Sequence, residues 1–253
     1  MSPTDTASRA ATGMRLELDR IRLSYTGTPV IDDLSLTVEP GEILVLTGPS
    51  GCGKSTVLRA LTGLLRPDAG RVLADGDPVT TTSRDRGMVF QDSALLPWRT
   101  VRSNIELALQ LRGEPKAGRR ERADRWIAEV GLSGFAEFLP KNLSGGMRQR
   151  VQLARGLAGA PRAVMMDEPF AALDTQTRAA MQRLLIDTWQ AHPTTIVFVT
   201  HDVDEALTLG DRVAVLGRAG QPLRTLIEVA QPRTDHPERS ALRAEIIAAL
   251  EQP

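Results

Sequence analysis

The residues best equipped for chemistry form one short run, Gly48-Pro-Ser-Gly-Cys-Gly-Lys-Ser-Thr56. It fits the pattern G-x-x-x-x-G-K-[ST], in which glycines let the backbone turn its N–H groups inward around a phosphate. An apolar stretch, Ile43–Thr47, leads into the run, and a helical pattern follows it to about Leu64. The loop therefore sits where a strand hands over to a helix N-terminus, whose partial positive charge stands behind the phosphates. Lys54 would neutralise oxygens of the β- and γ-phosphates, and the Ser55 hydroxyl would ligate Mg²⁺. Together Gly48, Pro49, Ser50, Gly51, Cys52, Gly53, Lys54, Ser55 and Thr56 are expected to cradle ATP. Cys52 occupies a position that tolerates many residues, and nothing in the sequence makes it reactive.

A second group lies at the end of another strand-sized apolar run, Ala163–Met166, which is followed by Asp167 and Glu168. Strand carboxyl ends in open α/β sheets face the ligand crevice. Asp167 is thus expected to hold Mg²⁺, directly or through water. Glu168 is placed to accept a proton from an attacking water. The plain alternative, that Asp-Glu-Pro merely opens a loop, loses weight beside a phosphate cradle.

Leu143-Ser-Gly-Gly-Met-Arg-Gln-Arg150 resembles the signature motif of ABC transporter ATPases, with Met147 where Gln is usual. Ser144 can cap the helix that follows. In the family this helix end, with Gly145 and Gly146, serves the ATP of a partner subunit. Other positions match the family in order. Tyr25 falls where an aromatic stacks on adenine, a core strand aromatic being the alternative. Gln91 matches the hinge glutamine that reaches Mg²⁺ or the lytic water. Asp174 matches a loop crossing the dimer interface, or is only a helix cap. His201 matches the histidine that contacts the γ-phosphate. The stretch Val89–Val101, with Leu-Leu-Pro-Trp98, resembles the nitrate/sulfonate/taurine branch of importers. There Leu95, Leu96 and Trp98 would be apolar anchors for a membrane subunit, or simply core of a helical lobe.

The resemblance implies an α/β fold: a P-loop NTPase core with a mainly parallel sheet, an antiparallel β sub-lobe and a helical sub-lobe at about 92–157. One ATPase domain is expected over 14–253, and the polar run 1–13, which has no apolar signal-peptide core, reads as a disordered leader. Neither a regulatory β-rich domain nor a second copy is expected. The implied activity is ATP hydrolysis by a homodimer that holds two ATP head-to-tail. The implied partners are integral membrane permease subunits and, indirectly, a solute-binding protein, at the cytoplasmic face of the membrane. The solute would be nitrate, sulfonate or taurine-like. A nucleotide-gated regulator and a soluble repair or translation ATPase are the alternatives. Glu168 and His201 speak against the first, and the lack of a coiled-coil insertion or tandem domain against the second.

The elements that must position these residues alternate between strand and helix. Leu16, Leu18 and Ile21, Leu23 suggest two short β segments, and Val30–Val38 another. Arg71–Leu73 with the turn Asp75-Gly76 reads as a hairpin. Thr100–Val130 reads as a helical insertion broken at Gly113-Glu114-Pro115. Helices are expected over Ser144–Leu157, Thr175–Gln190, Asp202–Leu209 and around Leu242–Leu250, and strands over Arg86–Phe90, Thr195–Thr200 and Arg212–Leu216.

Composition agrees with a globular domain. Of 253 residues, 42% are apolar and 25% charged. Lys+Arg and Asp+Glu are both 31, so there is no basic excess of the kind a nucleic-acid binder shows. A single cysteine excludes an internal disulfide. No apolar run approaches the roughly 20 residues that span a bilayer. His192 and His236 each precede a proline and read as loop residues, with no metal-site spacing.

Overall fold

The computed structural model describes residues 13–25, 27–221, 223–234 and 237–251, without the side chain of Tyr25. The expected leader falls almost wholly outside these residues, as does His236. A six-stranded sheet forms the centre: β3 (Ile43–Thr47), β6 (Arg86–Val89), β7 (Ala163–Asp167), β8 (Thr195–Val199), β9 (Arg212–Leu216) and β10 (Leu223–Glu228). Its order is β10-β9-β3-β8-β7-β6. All neighbours run parallel except β10, which pairs antiparallel with β9.

The parallel strands are apolar on both faces because both faces are covered. Ile43, Val45, Val164, Met166, Ile196, Phe198, Val213 and Val215 join one core. Their alternate neighbours Leu44, Leu46, Ala163, Met165, Val197, Val199, Ala214 and Leu216 join the other. The second core takes in α1 (Lys54–Thr62) and a four-stranded antiparallel sheet. That sheet comprises β1 (Leu16–Tyr25), β2 (Thr28–Val38), β4 (Ala69–Ala74) and β5 (Asp77–Pro78), in the order β2-β1-β4-β5. The first core takes in α2 (Val101–Arg112), α3 (Lys116–Glu129), α4 (Gly145–Ala158) and α5 (Thr175–Ala191). Helices α6 (Val203–Leu209) and α7 (Arg239–Glu251) pack on the same side.

The structure corrects one sequence expectation. Leu16, Leu18 and Ile21, Leu23 lie on one continuous strand, although their spacing switches from even to odd positions. The register explains the switch: β1 holds an extra residue between Leu18 and Ile21, and Arg20 adopts φ 49 there. A bulge shifts the side-chain alternation by one, so all four residues stay buried. Strand β2 answers with an irregularity of its own, Asp33 at φ 51, which turns Leu34, Leu36 and Val38 inward after Ile31.

Strand β10 has no counterpart in the sequence expectations. It is an edge strand in which Ile227 is buried and Leu226 exposed, with no sustained alternation to announce it. Its pairing with β9 defines it.

The bulges make an exposed position sensitive to substitution. Asp33 is left-handed, so Asp33→Val should destabilise by about 1–2 kcal/mol despite the strand propensity of valine. Urea midpoints should show that loss, with Thr37→Val on the same strand close to neutral.

Candidate functional site

Four parallel strands lie side by side in the order β3-β8-β7-β6, with Leu46 opposite Val199, Asp167 opposite Val199 and Val89 opposite Met166. Their carboxyl ends therefore share one edge of the sheet. The loop 48–53 follows β3, His201 follows β8, Asp167 ends β7 with Glu168 next to it, and Gln91 follows β6. Residues distant in sequence are gathered there by strand register alone.

The loop after β3 uses backbone conformations that side chains resist. Gly48 has φ 154, and a Cβ on it would lie 2.9 Å from the Leu216 carbonyl oxygen. Gly53, at φ 101, caps α1 in the left-handed region, and a Cβ there would meet Ile31 at 2.9 Å. Lys54 is buried at the start of α1, and its Nζ donates to the carbonyls of Gly48 (2.9 Å) and Pro49 (3.0 Å). An ammonium held by carbonyls inside such a loop fits a phosphate group. Cys52 is buried beside it, and burial pushes its thiol up, against the opposing pull of Lys54. That shift is in the direction that disfavours the thiolate.

The Ser55 hydroxyl donates to Asp167 Oδ1 at 2.9 Å. Burial raises the Asp167 carboxyl above its ordinary value, and the neighbouring Glu168 charge adds to the rise. The bond from Ser55 and the charges of Arg59 and Lys54 oppose it. Two hard oxygen donors this close suit Mg²⁺, which is commonly held by one carboxylate together with substrate phosphates. Among the described residues no cluster of three or more His, Cys, Asp or Glu offers a metal cage.

Glu168 adopts φ 42, a left-handed conformation that costs about 1–2 kcal/mol for such a residue. Its amide donates to the Val199 carbonyl at 3.1 Å, tying the turn to β8. Its Oε2 lies 3.2 Å from His201 Nδ1. The strained turn thus aims the carboxylate at the histidine across the strand ends.

Ser144 caps α4, accepting from the Met147 amide at 3.2 Å, and both Ser144 and Gly145 are exposed. This helix end opens to solvent. Asp174 caps α5 through Thr177, whose hydrogen bonds hold its carboxyl below the ordinary value. Tyr25 ends β1, and its side chain lies outside the described residues. His192 is paired, with Glu129 at 3.0 Å and its ring against Trp126.

The segment after Gln91 divides the three apolar candidates. Leu95 is buried in the core, whereas Trp98 is 73% exposed, and Leu96 lies between. Sequence reasoning missed the residue that arranges them, Asn104, which is fully buried. Its Oδ1 accepts from the Leu96 amide, and its Nδ2 donates to the carbonyls of Leu96, Arg99 and Thr100. A lone Asn beside Val101 and Ile105 on the buried face of a helix is the signal that could have found it.

Comparison with known proteins places these features in a family. The ABC transporter family model matches residues 31–171. An uncharacterized ABC transporter ATP-binding protein of Methanocaldococcus jannaschii is 49% identical over 208 residues, covering 81% of this chain and 78% of its own. The taurine import ATP-binding protein of Pseudomonas entomophila is 46% identical over 203 residues, covering 79% and 78%. A solved dimeric ATP-binding cassette in a post-hydrolysis state, bound to ADP and phosphate, superposes with a TM-score of 0.75. It is 30% identical and covers 85% of this chain and 99% of its own.

The burial of Asp167 has a measurable consequence. A carboxyl raised on folding favours the folded state at low pH, and that advantage fades as pH rises through its folded value. In nucleotide-free protein at neutral pH, Asp167→Asn should therefore raise the melting temperature, and the gain should shrink in acid. A variant less stable than the parent at pH 7 would contradict this account.

Proposed function

This chain belongs to the ABC transporter ATP-binding family, and from that membership we propose that it is the ATP-hydrolysing subunit of an importer, working as a head-to-tail pair. It is an ATP-binding ATPase of the P-loop fold. The proposed ATPase domain is single and spans residues 14–253, with its helical sub-lobe at about 92–157. In the proposed pair each ATP lies between one copy's loop, Gly48–Thr56, and the other copy's Ser144, Gly145 and Gly146. The observation that carries the reading is the shared strand edge, where Lys54, Ser55, Asp167, Glu168 and His201 converge.

Each residue's role follows from its chemistry. Lys54 exchanges its loop carbonyls for phosphate oxygens, and the amides of the loop and of the α1 N-terminus hold the β-phosphate. The exposed end of α4 presents a second positive helix terminus to the partner's nucleotide. Ser55, Asp167 and Gln91 would hold Mg²⁺, and the ion would neutralise charge developing on the phosphates. Glu168 takes the proton of the attacking water, and His201, next to it, steadies the γ-phosphate. Tyr25 stacks on adenine. Catalysis then rests on positioning and fixed charge, as in phosphoryl transfer generally.

Among the described residues no helix is long and apolar enough to cross a membrane. The proposed partner is an integral permease, met at the cytoplasmic face of the membrane, with a solute-binding protein acting on the permease. Trp98 is the proposed anchor. The 46% identity to a taurine import protein supports a sulfonate- or taurine-like solute.

Two experiments test this reading. Glu168→Gln removes the base and should cut ATP turnover by about 10²–10⁴-fold. The variant should accumulate as an ATP-bound dimer on a sizing column, and Ser144→Arg should abolish that dimer. Wild-type turnover in Glu168→Gln would refute the catalytic role. In the second, Trp98→Ala should leave the isolated subunit folded, because the ring is mostly exposed, yet reduce co-purification with solubilised permease. Unfolding without selective loss of binding would refute the docking role.

A further inference from the structure

Helix α4 carries three side chains at i, i+3 and i+6 that direct donors at one neighbouring segment. Gln149 Nε2 donates to the Gln91 carbonyl at 3.2 Å. Gln152 Nε2 donates to the Phe90 carbonyl at 2.7 Å and the Asp92 carbonyl at 3.3 Å. Arg155 Nη1 donates to the Ala94 carbonyl at 2.9 Å. The segment leaves β6 after Val89 and has no ladder of its own, so its carbonyls must find donors elsewhere. Because every acceptor is a carbonyl, only the NH₂ end of each glutamine can face the segment.

Packing alone does not account for these residues. Gln149 and Gln152 are buried, and the Oε1 of each has no partner among the described residues. A buried acceptor without a donor destabilises, so each glutamine keeps its donated bonds to the segment at a cost that apolar packing would not carry.

We propose that Gln149, Gln152 and Arg155 are positioning residues, a donor ladder that fixes segment 90–94 against α4 and so sets how Gln91 is presented to its nucleotide. The proposal rests on the reading of Gln91 and Ser144 given above. The same helix begins at Ser144, Gly145 and Gly146, which face the partner's ATP in the proposed pair. One rigid member therefore touches both nucleotide sites: its N-terminus meets one, and its ladder holds the Gln91 of the other.

The test uses the full-length protein with Gln149→Met and Gln152→Met. Without nucleotide, amide exchange over residues 90–94 should quicken, while exchange over 48–56 stays unchanged. The kcat for ATP should fall about fivefold, the scale of one net hydrogen bond, with KM little altered because the ladder does not touch the phosphate loop. In a Gln91→Ala background neither substitution should lower kcat further, since both act through that residue. Losses that multiply with Gln91→Ala, or unchanged exchange over 90–94, would overturn the proposal. Should wild-type protein show no ATP turnover, the importer reading fails by itself, and the exchange result still decides for or against the ladder.

Discussion

The structure depends on the parallel register of four strands, β3, β8, β7 and β6. Every residue of β3 and β8 is buried, so the sheet is held by apolar burial on both faces and by backbone hydrogen bonds between strands. Slipping a strand by one residue would move each of its side chains into the opposite core, among neighbours it does not fit. A consequence is that the four carboxyl ends stop at one edge. The polar residues that follow them need no affinity for one another to be brought together.

What gathers at that edge is electrostatically costly. Asp167 and Glu168 are adjacent carboxylates, one of them buried enough to raise its pKa. Glu168 also carries backbone strain. The compensation is local: Ser55 donates to Asp167, Lys54 lies near, and the Glu168 amide is tied to β8. A site built this way is less stable than its apolar surroundings and has a definite geometry, which is the usual condition of a catalytic centre.

Side-chain amides form a second layer of control. Asn104 holds the turn at 96–100, and Gln149 and Gln152 hold the carbonyls of 90–92. This stretch lacks secondary structure, and buried donors from two helices substitute for the missing ladder. Its two ends differ accordingly. Leu95 is drawn into the core, while Trp98 is left exposed where the turn emerges.

The sequence by itself determined the α/β class, the glycine-rich loop, the acidic pair and the helix capped by Ser144. Each is local, written in residues a few positions apart, such as Gly48 to Thr56 or Ser144 with its two glycines. Helix boundaries at Gly63 and Gly113-Glu114-Pro115 were legible for the same reason. The rest was decided only by tertiary structure, because it depends on partners distant in the chain. The bulges at Arg20 and Asp33 joined what read as two segments into one strand, since the register with β2 absorbs the change of parity. Strand β10 exists because β9 offers it an edge. The 3.2 Å approach of Glu168 to His201 follows from the neighbouring positions of β7 and β8 and from a left-handed glutamate. The ladder from α4 to the Gln91 segment spans about sixty positions, a separation over which no local pattern reports a hydrogen bond.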